Sequence, residues 1–121
     1  MDSTRDDNGV ALLAKLIPDL DSLIQALRSG LAVSKPWQRS LHIGLADADQ
    51  KMEVLRMTIV MKRPEAEALE AAARLHAALS AGQLQVTNSR AEAATKAAML
   101  LALALAKQIR DAYASANLPT G

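Results

Sequence analysis

Residues 96–107 read KAAMLLALALAK, and the ten residues between the two lysines are all Ala, Leu or Met. A helix on the surface of a globular protein shows one apolar stripe, whereas a helix that is apolar on every side needs cover on every side. Ten residues rise about 15 Å, half of the length that a membrane span requires. The segment therefore predicts a helix that is covered by the rest of the domain or by another subunit.

The composition of the whole chain also favours helices. Its 121 residues include 25 Ala and 19 Leu, but only one Trp, one Tyr and no Phe. Ala has the best intrinsic helix propensity, and a core without aromatic rings must draw its burial from many close contacts between helices. We predict an all-α bundle of about four long helices. Residues 9–116 would form a single helical domain, with 1–8 as a disordered N-terminal tail and 117–121 as a C-terminal tail.

Apolar residues recur at steps of three and four in the first two predicted helices. The first helix spans about 9–29, and Pro18 inside it predicts a kink or a restart. The second helix has Ser34 as its cap and Pro36 in its first turn, and it runs to about residue 61. Its main stripe comprises Trp37, Leu41, Leu45, Ala48, Met52, Leu55 and Ile59. A second stripe on the same helix comprises Val54, Met57 and Met61.

The segment 41–61 allows a second interpretation. Residues 55–62 alternate at a period close to two, and Val, Ile and Thr favour strands. Residues 41–46 would then form the other arm of a hairpin around 47–50. The alternative fold is therefore α+β with a β-hairpin near 41–61. The longer stripe that continues from Trp37 favours the helix.

Two further helices are marked by residues that start and stop helices. Pro64 at the first position, followed by acidic residues, predicts a third helix, which Gly82 ends. Residues 83–88 predict an extended linker, because Leu84 and Val86 alternate with polar neighbours. Residues 89–92, SRAE, match a capping box with Ser89 as the N-cap. The fourth helix then continues to about residue 116.

The sequence contains no motif for catalysis or cofactor binding. Its five glycines open no phosphate-binding loop, and neither His42 nor His76 follows a Glu at the spacing of di-iron bundles. Two histidines without cysteine disfavour a structural zinc site. Asp47 and Asp49 point about 200° apart on a helix, so they cannot share a proton or a metal. We predict no enzymatic activity, no metal and no cofactor, and we interpret His76 as a packed residue.

The predicted function follows from the excess of apolar surface. A net charge of +1 argues against strong non-specific binding to nucleic acid or membrane. No signal peptide or membrane span is visible, which predicts a cytoplasmic location. One chain of this length is too short to cover fully two helices that are apolar on several sides. We therefore predict a protein–protein interaction or assembly module, a homo-oligomer or the binder of a protein partner. Its predicted interface residues are Met57, Met61, Leu101 and Leu105.

The alternative function is a small regulatory protein that contacts nucleic acid. Residues 35–63 carry six basic and three acidic side chains, and a basic patch is the electrostatic footprint of such proteins. The candidate contact residues are Arg39, Lys51, Arg56, Lys62 and Arg63. Their spacing does not gather them into one stripe, and Trp37 is the only aromatic residue near them that can stack on a base. The interaction module is therefore the preferred hypothesis.

Overall fold

A computed structural model describes the backbone of residues 3–87 and 91–117, and the side chains of residues 11–87 and 91–115. These residues form four α-helices: α1 is Ser3–Gly30, α2 is Pro36–Val60, α3 is Glu65–Thr87 and α4 is Ala93–Asn117. The predicted all-α bundle of four helices is confirmed. The alternative hairpin near 41–61 is wrong, because α2 spans this segment as one continuous helix.

Each helix packs against the next one along the chain, and α1 closes the bundle against α4. Within the described residues, no close backbone approach joins α1 to α3 or α2 to α4, so these pairs lie on the diagonals. Short connections make successive helices antiparallel, as in an up-down bundle. α2 and α4 therefore occupy opposite corners, and their outer faces point away from each other.

The core is built from side chains at steps of three and four along each helix, which places them on the inward side. Every buried side chain that the structure describes is apolar or Tyr113. They are Leu16, Leu20, Ile24, Leu41, Leu45, Ala48, Met52, Leu55, Ala68, Ala71, Ala72, Leu75, Leu79, Val86, Ala91, Met99, Ala102, Ala106, Ile109 and Tyr113. The predicted main stripe of α2 is confirmed from Leu41 to Leu55. Ile59 does not belong to it, since its side chain is 41% exposed near the end of the helix.

Gly82 was predicted to end the third helix, but α3 continues beyond it to Thr87. Gly82 is buried, and a Cβ atom there would lie 3.1 Å from Cε of Met99 and 3.7 Å from Cδ1 of Leu41. The absence of a side chain therefore allows close packing of three helices. The predicted extended linker over 83–88 is wrong for residues 83–87, because these residues belong to α3. Val86 is buried one turn after Gly82, as expected for two residues on the same side of a helix.

The other helix ends differ from the predictions in detail. α1 begins at Ser3, inside the predicted tail, and it passes through Pro18 without the predicted restart. The N-cap of α2 is Lys35, one residue later than predicted, because Oε1 of Gln38 accepts the Lys35 backbone N–H at 2.9 Å. The predicted capping box rests on Ser89, which lies outside the described residues, as do residues 118–121 of the predicted C-terminal tail.

Polar contacts join α1 to one flank of α2. Nη1 of Arg28 lies 2.8 Å from Oδ2 of Asp49, and Nε2 of Gln25 donates to Oδ1 of the same residue at 2.7 Å. Nη1 of Arg56 lies 3.5 Å from Oδ2 of Asp21. Such partly exposed pairs contribute at most about 1 kcal/mol each. These contacts lie on the side of α2 that faces α1, whereas the outer side of α2 carries mainly apolar residues.

Candidate protein-interaction surface

The outer side of α2 carries a row of five apolar side chains and one glutamine that the described part of the chain leaves partly or largely exposed. We call this row the α2 face; its members are Ile43, Ala46, Gln50, Val54, Met57 and Met61. Ile43 is 72% exposed, and Val54, Met57 and Met61 are 53%, 46% and 61% exposed. Gln50 is also exposed, and Ala46 is half-buried. Contiguous exposed apolar patches on a small domain mark interaction sites.

Helix geometry explains why the α2 face stays outside the core. Met57 follows the fully buried Ala48 by nine residues, and nine residues turn a helix by about 180°. Val54 and Met61 flank Met57 at steps of three and four, so they share its side of the helix. The second stripe that the sequence indicated therefore lies on the opposite side of α2 from the core stripe.

Met57 and Met61, two of the four predicted interface residues, line an open groove between the end of α2 and the start of α3. The groove has a volume of about 590 Å³, and Val54, Arg63 and Glu67 also line it. The Arg63 guanidinium donates two hydrogen bonds to the Glu67 carboxylate, at 2.7 and 2.9 Å. This pairing raises the pKa of Arg63 and lowers that of Glu67. An apolar floor beside a charged rim is typical of protein interfaces.

A second apolar surface lies on the outer side of α4. Leu100 and Leu101 are 54% and 53% exposed. Ala97 and Ala104, which lie one turn before and one turn after them, are exposed as well. We call these four residues the α4 face. The described part of the chain therefore covers this helix on its inner side and leaves the α4 face exposed. Leu101 was predicted from the sequence as an interface residue, whereas Leu100 was not.

The structure distributes the four predicted interface residues over different places. Met57 and Met61 share the α2 face, whereas Leu101 belongs to the α4 face at the opposite corner of the bundle. Leu105 is half-buried and packs against the core. It follows Ala98 by seven residues, or two turns, and Ala98 lines a groove between α4 and α1. Leu105 therefore belongs to the flank that faces α1 and to neither exposed face.

Two of the predicted nucleic-acid contacts lie in the middle of α2, and both are paired within the chain. Nζ of Lys51 lies 3.0 Å from Oδ1 of Asp47, and Nη1 of Arg56 lies 3.5 Å from Oδ2 of Asp21. Five residues separate the two basic side chains, which places them about 140° apart around the helix. They therefore do not form one basic surface.

The other three candidates, Arg39, Lys62 and Arg63, lie near the two ends of α2. Arg39 and Lys62 are about 35 Å apart along the helix. Lys62 has a φ of 54°, in the left-handed region, where it ends the helix. The N–H groups of Lys62 and Arg63 donate to the carbonyl oxygens of Ile59 and Thr58 at 3.0 Å each, which is a Schellman motif. Lys62 therefore has a structural position in the turn between α2 and α3.

His76 has a side-chain neighbour, as we expected of a packed histidine. Its Nδ1 lies 3.3 Å from Nη1 of Arg110, between α3 and α4. Partial burial, and then the positive charge of Arg110, lower the pKa of His76. In the described ranges, no three His, Asp or Glu side chains are grouped so that they could hold a metal ion. None of the helices, over those same ranges, has the length and apolar character of a membrane span.

The N-terminal half of the α2 face was not predicted from the sequence. Ile43, Ala46 and Gln50 each lie eleven residues before a member of the predicted second stripe. Eleven residues make three helical turns, so the signal was present in the spacing. Two effects obscured it: Ile43 and Ala46 lie in the segment where a hairpin was the alternative, and Gln50 is polar.

Comparison with known protein families, with curated proteins and with solved structures finds no match for this chain. A bundle of four helices serves many unrelated functions, so the fold by itself indicates no activity. Function must therefore be inferred from the placement of residues in this chain, and above all from the two exposed apolar faces.

Proposed function

We propose that this protein is a non-enzymatic interaction or assembly module that self-associates through exposed apolar helix faces. The observation that carries the proposal is the α2 face, because it runs along most of α2 on the side away from the core. Apolar side chains gain free energy when they are transferred from water to a complementary apolar surface. The cytoplasmic location predicted from the sequence is part of the same proposal.

The charges beside the α2 face support a protein partner. Lys51 is paired with Asp47 at 3.0 Å, and Arg56 lies 3.8 Å from Glu53. A nucleic acid or an anionic membrane surface would favour an excess of basic side chains over acidic ones. Around the middle of the row each of these basic groups is paired with an acidic one, and the pairs border apolar side chains, as at the rim of a protein interface. We therefore propose protein association and not nucleic-acid contact.

The α4 face supports assembly beyond a single pair. It lies at the corner of the bundle opposite α2, so the two faces point in opposite directions. A chain with two such faces can contact two neighbours at once, and contacts that do not close by symmetry build extended assemblies. The α2 face is the longer of the two and is the primary contact in this proposal.

Sedimentation velocity of the full chain tests the proposal, from low micromolar to near-millimolar concentration at physiological salt. We expect the sedimentation coefficient to increase with concentration. Val54→Asp places a carboxylate in the α2 face and should reduce this increase. Leu84→Asp is the matched control, because Leu84 is 60% exposed on α3, outside both faces. A strict monomer over the whole range would exclude self-association.

A further inference from the structure

We infer that the α2 face binds the α2 face of a second copy, with the two helices antiparallel and Gln50 on the two-fold axis. The inference rests on the proposed function and names the partner and the register of that contact. An isologous pair needs a surface that is complementary to itself after a half-turn rotation. The order of residues along the α2 face meets this condition.

The outer row of α2 is symmetric about Gln50. Ala46 and Val54 lie four residues on either side of it, and Ile43 and Met57 lie seven residues on either side. Arg39, also exposed on α2, and Met61 lie eleven residues before and after Gln50. The average step along the row is about 3.7 residues, close to the 3.6 of a straight helix. The row therefore stays on the outer side of α2 over its whole length.

Antiparallel pairing about Gln50 matches apolar side chains in the two inner pairs, whereas the outermost pair places Arg39 beside the partner's Met61 at the edge of the contact. Ile43 would contact the partner's Met57, and Ala46 would contact the partner's Val54. The small Ala beside the centre permits the usual distance of about 8–10 Å between helix axes. The Gln50 carboxamide has both donors and acceptors, so two copies can hydrogen-bond to each other across the axis. A polar group at the centre of an apolar row also specifies the register.

The charges beside the row are compatible with this pairing. In a two-fold antiparallel pair, each flank of α2 faces the same flank of the second copy. Asp47 and Lys51 share one flank and are 3.0 Å apart, so each can reach its counterpart of opposite sign in the partner. On the other flank, Asp49 is paired with Arg28 at 2.8 Å and Glu53 with Arg56 at 3.8 Å. The pairing therefore does not bring unpaired charges of the same sign together on either flank.

The contact should be weak and dependent on concentration. The side chains of the α2 face are partly exposed and belong to a single helix, so the contact is small beside stable specific interfaces, which bury about 1,200 Å² or more in total. Methionine at positions 57 and 61 suits such a contact, because its flexible side chain adapts to the facing surface. A reversible dimer is therefore expected, and not a permanent one.

Disulfide trapping tests the register directly, because the chain contains no cysteine. We expect Gln50→Cys to form a cross-linked dimer rapidly under mild oxidation. Met57→Cys alone should not, because the two sulfurs would be about 21 Å apart along the helix axes. An equimolar mixture of Ile43→Cys and Met57→Cys chains should cross-link as a mixed dimer. Leu84→Cys, an exposed position outside both faces, measures cross-linking by random collision.

Each other result would overturn the inference in a recognisable way. Cross-linking of Met57→Cys alone at the rate of Gln50→Cys would show a parallel pair. Concentration-dependent sedimentation of the unmodified chain, together with Gln50→Cys that cross-links no faster than Leu84→Cys, would overturn this register and leave the proposed function standing. A strict monomer that cross-links only at the collision rate would overturn both.

Discussion

Truncation of Ile43 to Ala should weaken self-association strongly without changing the stability of the monomer. Ile43 is 72% exposed in the single chain, so most of its side chain has no contacts to lose when the change is made. Removal of three carbon atoms forfeits about 0.8 kcal/mol for each one that a partner would bury. At the observed exposure this is about 1.7 kcal/mol per copy, or about 3.5 kcal/mol for a symmetric dimer. The dissociation constant should therefore rise by roughly two to three orders of magnitude.

The assay is sedimentation equilibrium over a dilution series, with thermal unfolding measured in parallel. Leu84→Ala is the control, because it truncates an aliphatic side chain of similar exposure, 60%, outside both apolar faces. We expect the control to associate like the unmodified chain and both variants to keep its unfolding temperature at low concentration. A change of less than tenfold for Ile43→Ala, or an equal change for both variants, would refute the assignment of Ile43 to the interface.

Three further predictions concern the bundle itself. Lys62→Gly should raise the free energy of unfolding, measured with urea, by about 1 kcal/mol, because the left-handed φ of 54° strains any residue with a Cβ. Lys62→Ala keeps the Cβ and the strain, so equal stability of the two variants would contradict this prediction. Gly44→Ala should stabilise α2 by about 1 kcal/mol, since the new Cβ would meet only Oε1 of Gln85 at 3.9 Å; a lower thermal unfolding temperature would disprove it. His76 has a lowered pKa in the folded state, so the folded protein binds fewer protons than the unfolded chain, and stability should fall as the pH decreases through the ordinary value of 6.5. His76→Gln should remove that decrease, and an unchanged pH profile would show that another group is responsible.

The fold followed from the sequence because the strongest signals were periodic and long. The stripe from Leu41 to Leu55 extends over four turns, and a hairpin cannot bury residues at those steps. The alternation near residue 60 was a weaker signal, since it covered few residues and coincided with the exposed end of α2, where Ile59 and Val60 are 41% and 73% exposed. Short apolar runs do not distinguish a strand from a helix by their period.

Local stop signals predicted helix ends less well, because tertiary packing determines what a glycine does. Gly82 was expected to end α3, yet its neighbours show that its small size serves the contact with Met99 and Leu41. By contrast, α2 ends at Val60 without a glycine, and the Schellman hydrogen bonds of Lys62 and Arg63 in the following turn close it. Whether a glycine ends a helix therefore depends on the positions of the neighbouring helices, and these positions cannot be read from a single sequence.

The candidate site could be predicted only in part for a related reason. The sequence showed that α2 and α4 carry more apolar residues than one stripe requires, but it did not show which helices are neighbours. The diagonal placement of α2 and α4 assigns Met57 and Leu101 to opposite sides of the molecule. The same placement turns Leu105 toward α1, where it packs against the core. Knowledge of which helices are adjacent was the missing information.

The composition of the core explains why apolar side chains remain outside. Ala48, Ala72, Ala102 and Ala106 are fully buried, and with Gly82 they bring the helices close together, which leaves little interior volume for larger residues. Ile43 and its neighbours on the α2 face lie on the opposite side of α2 from this filled core. Lys or Glu at these positions would leave the core intact and keep the single chain in solution. The stability of the monomer therefore does not explain the apolar residues of the α2 face. The proposed burial of this face against a second copy would explain them.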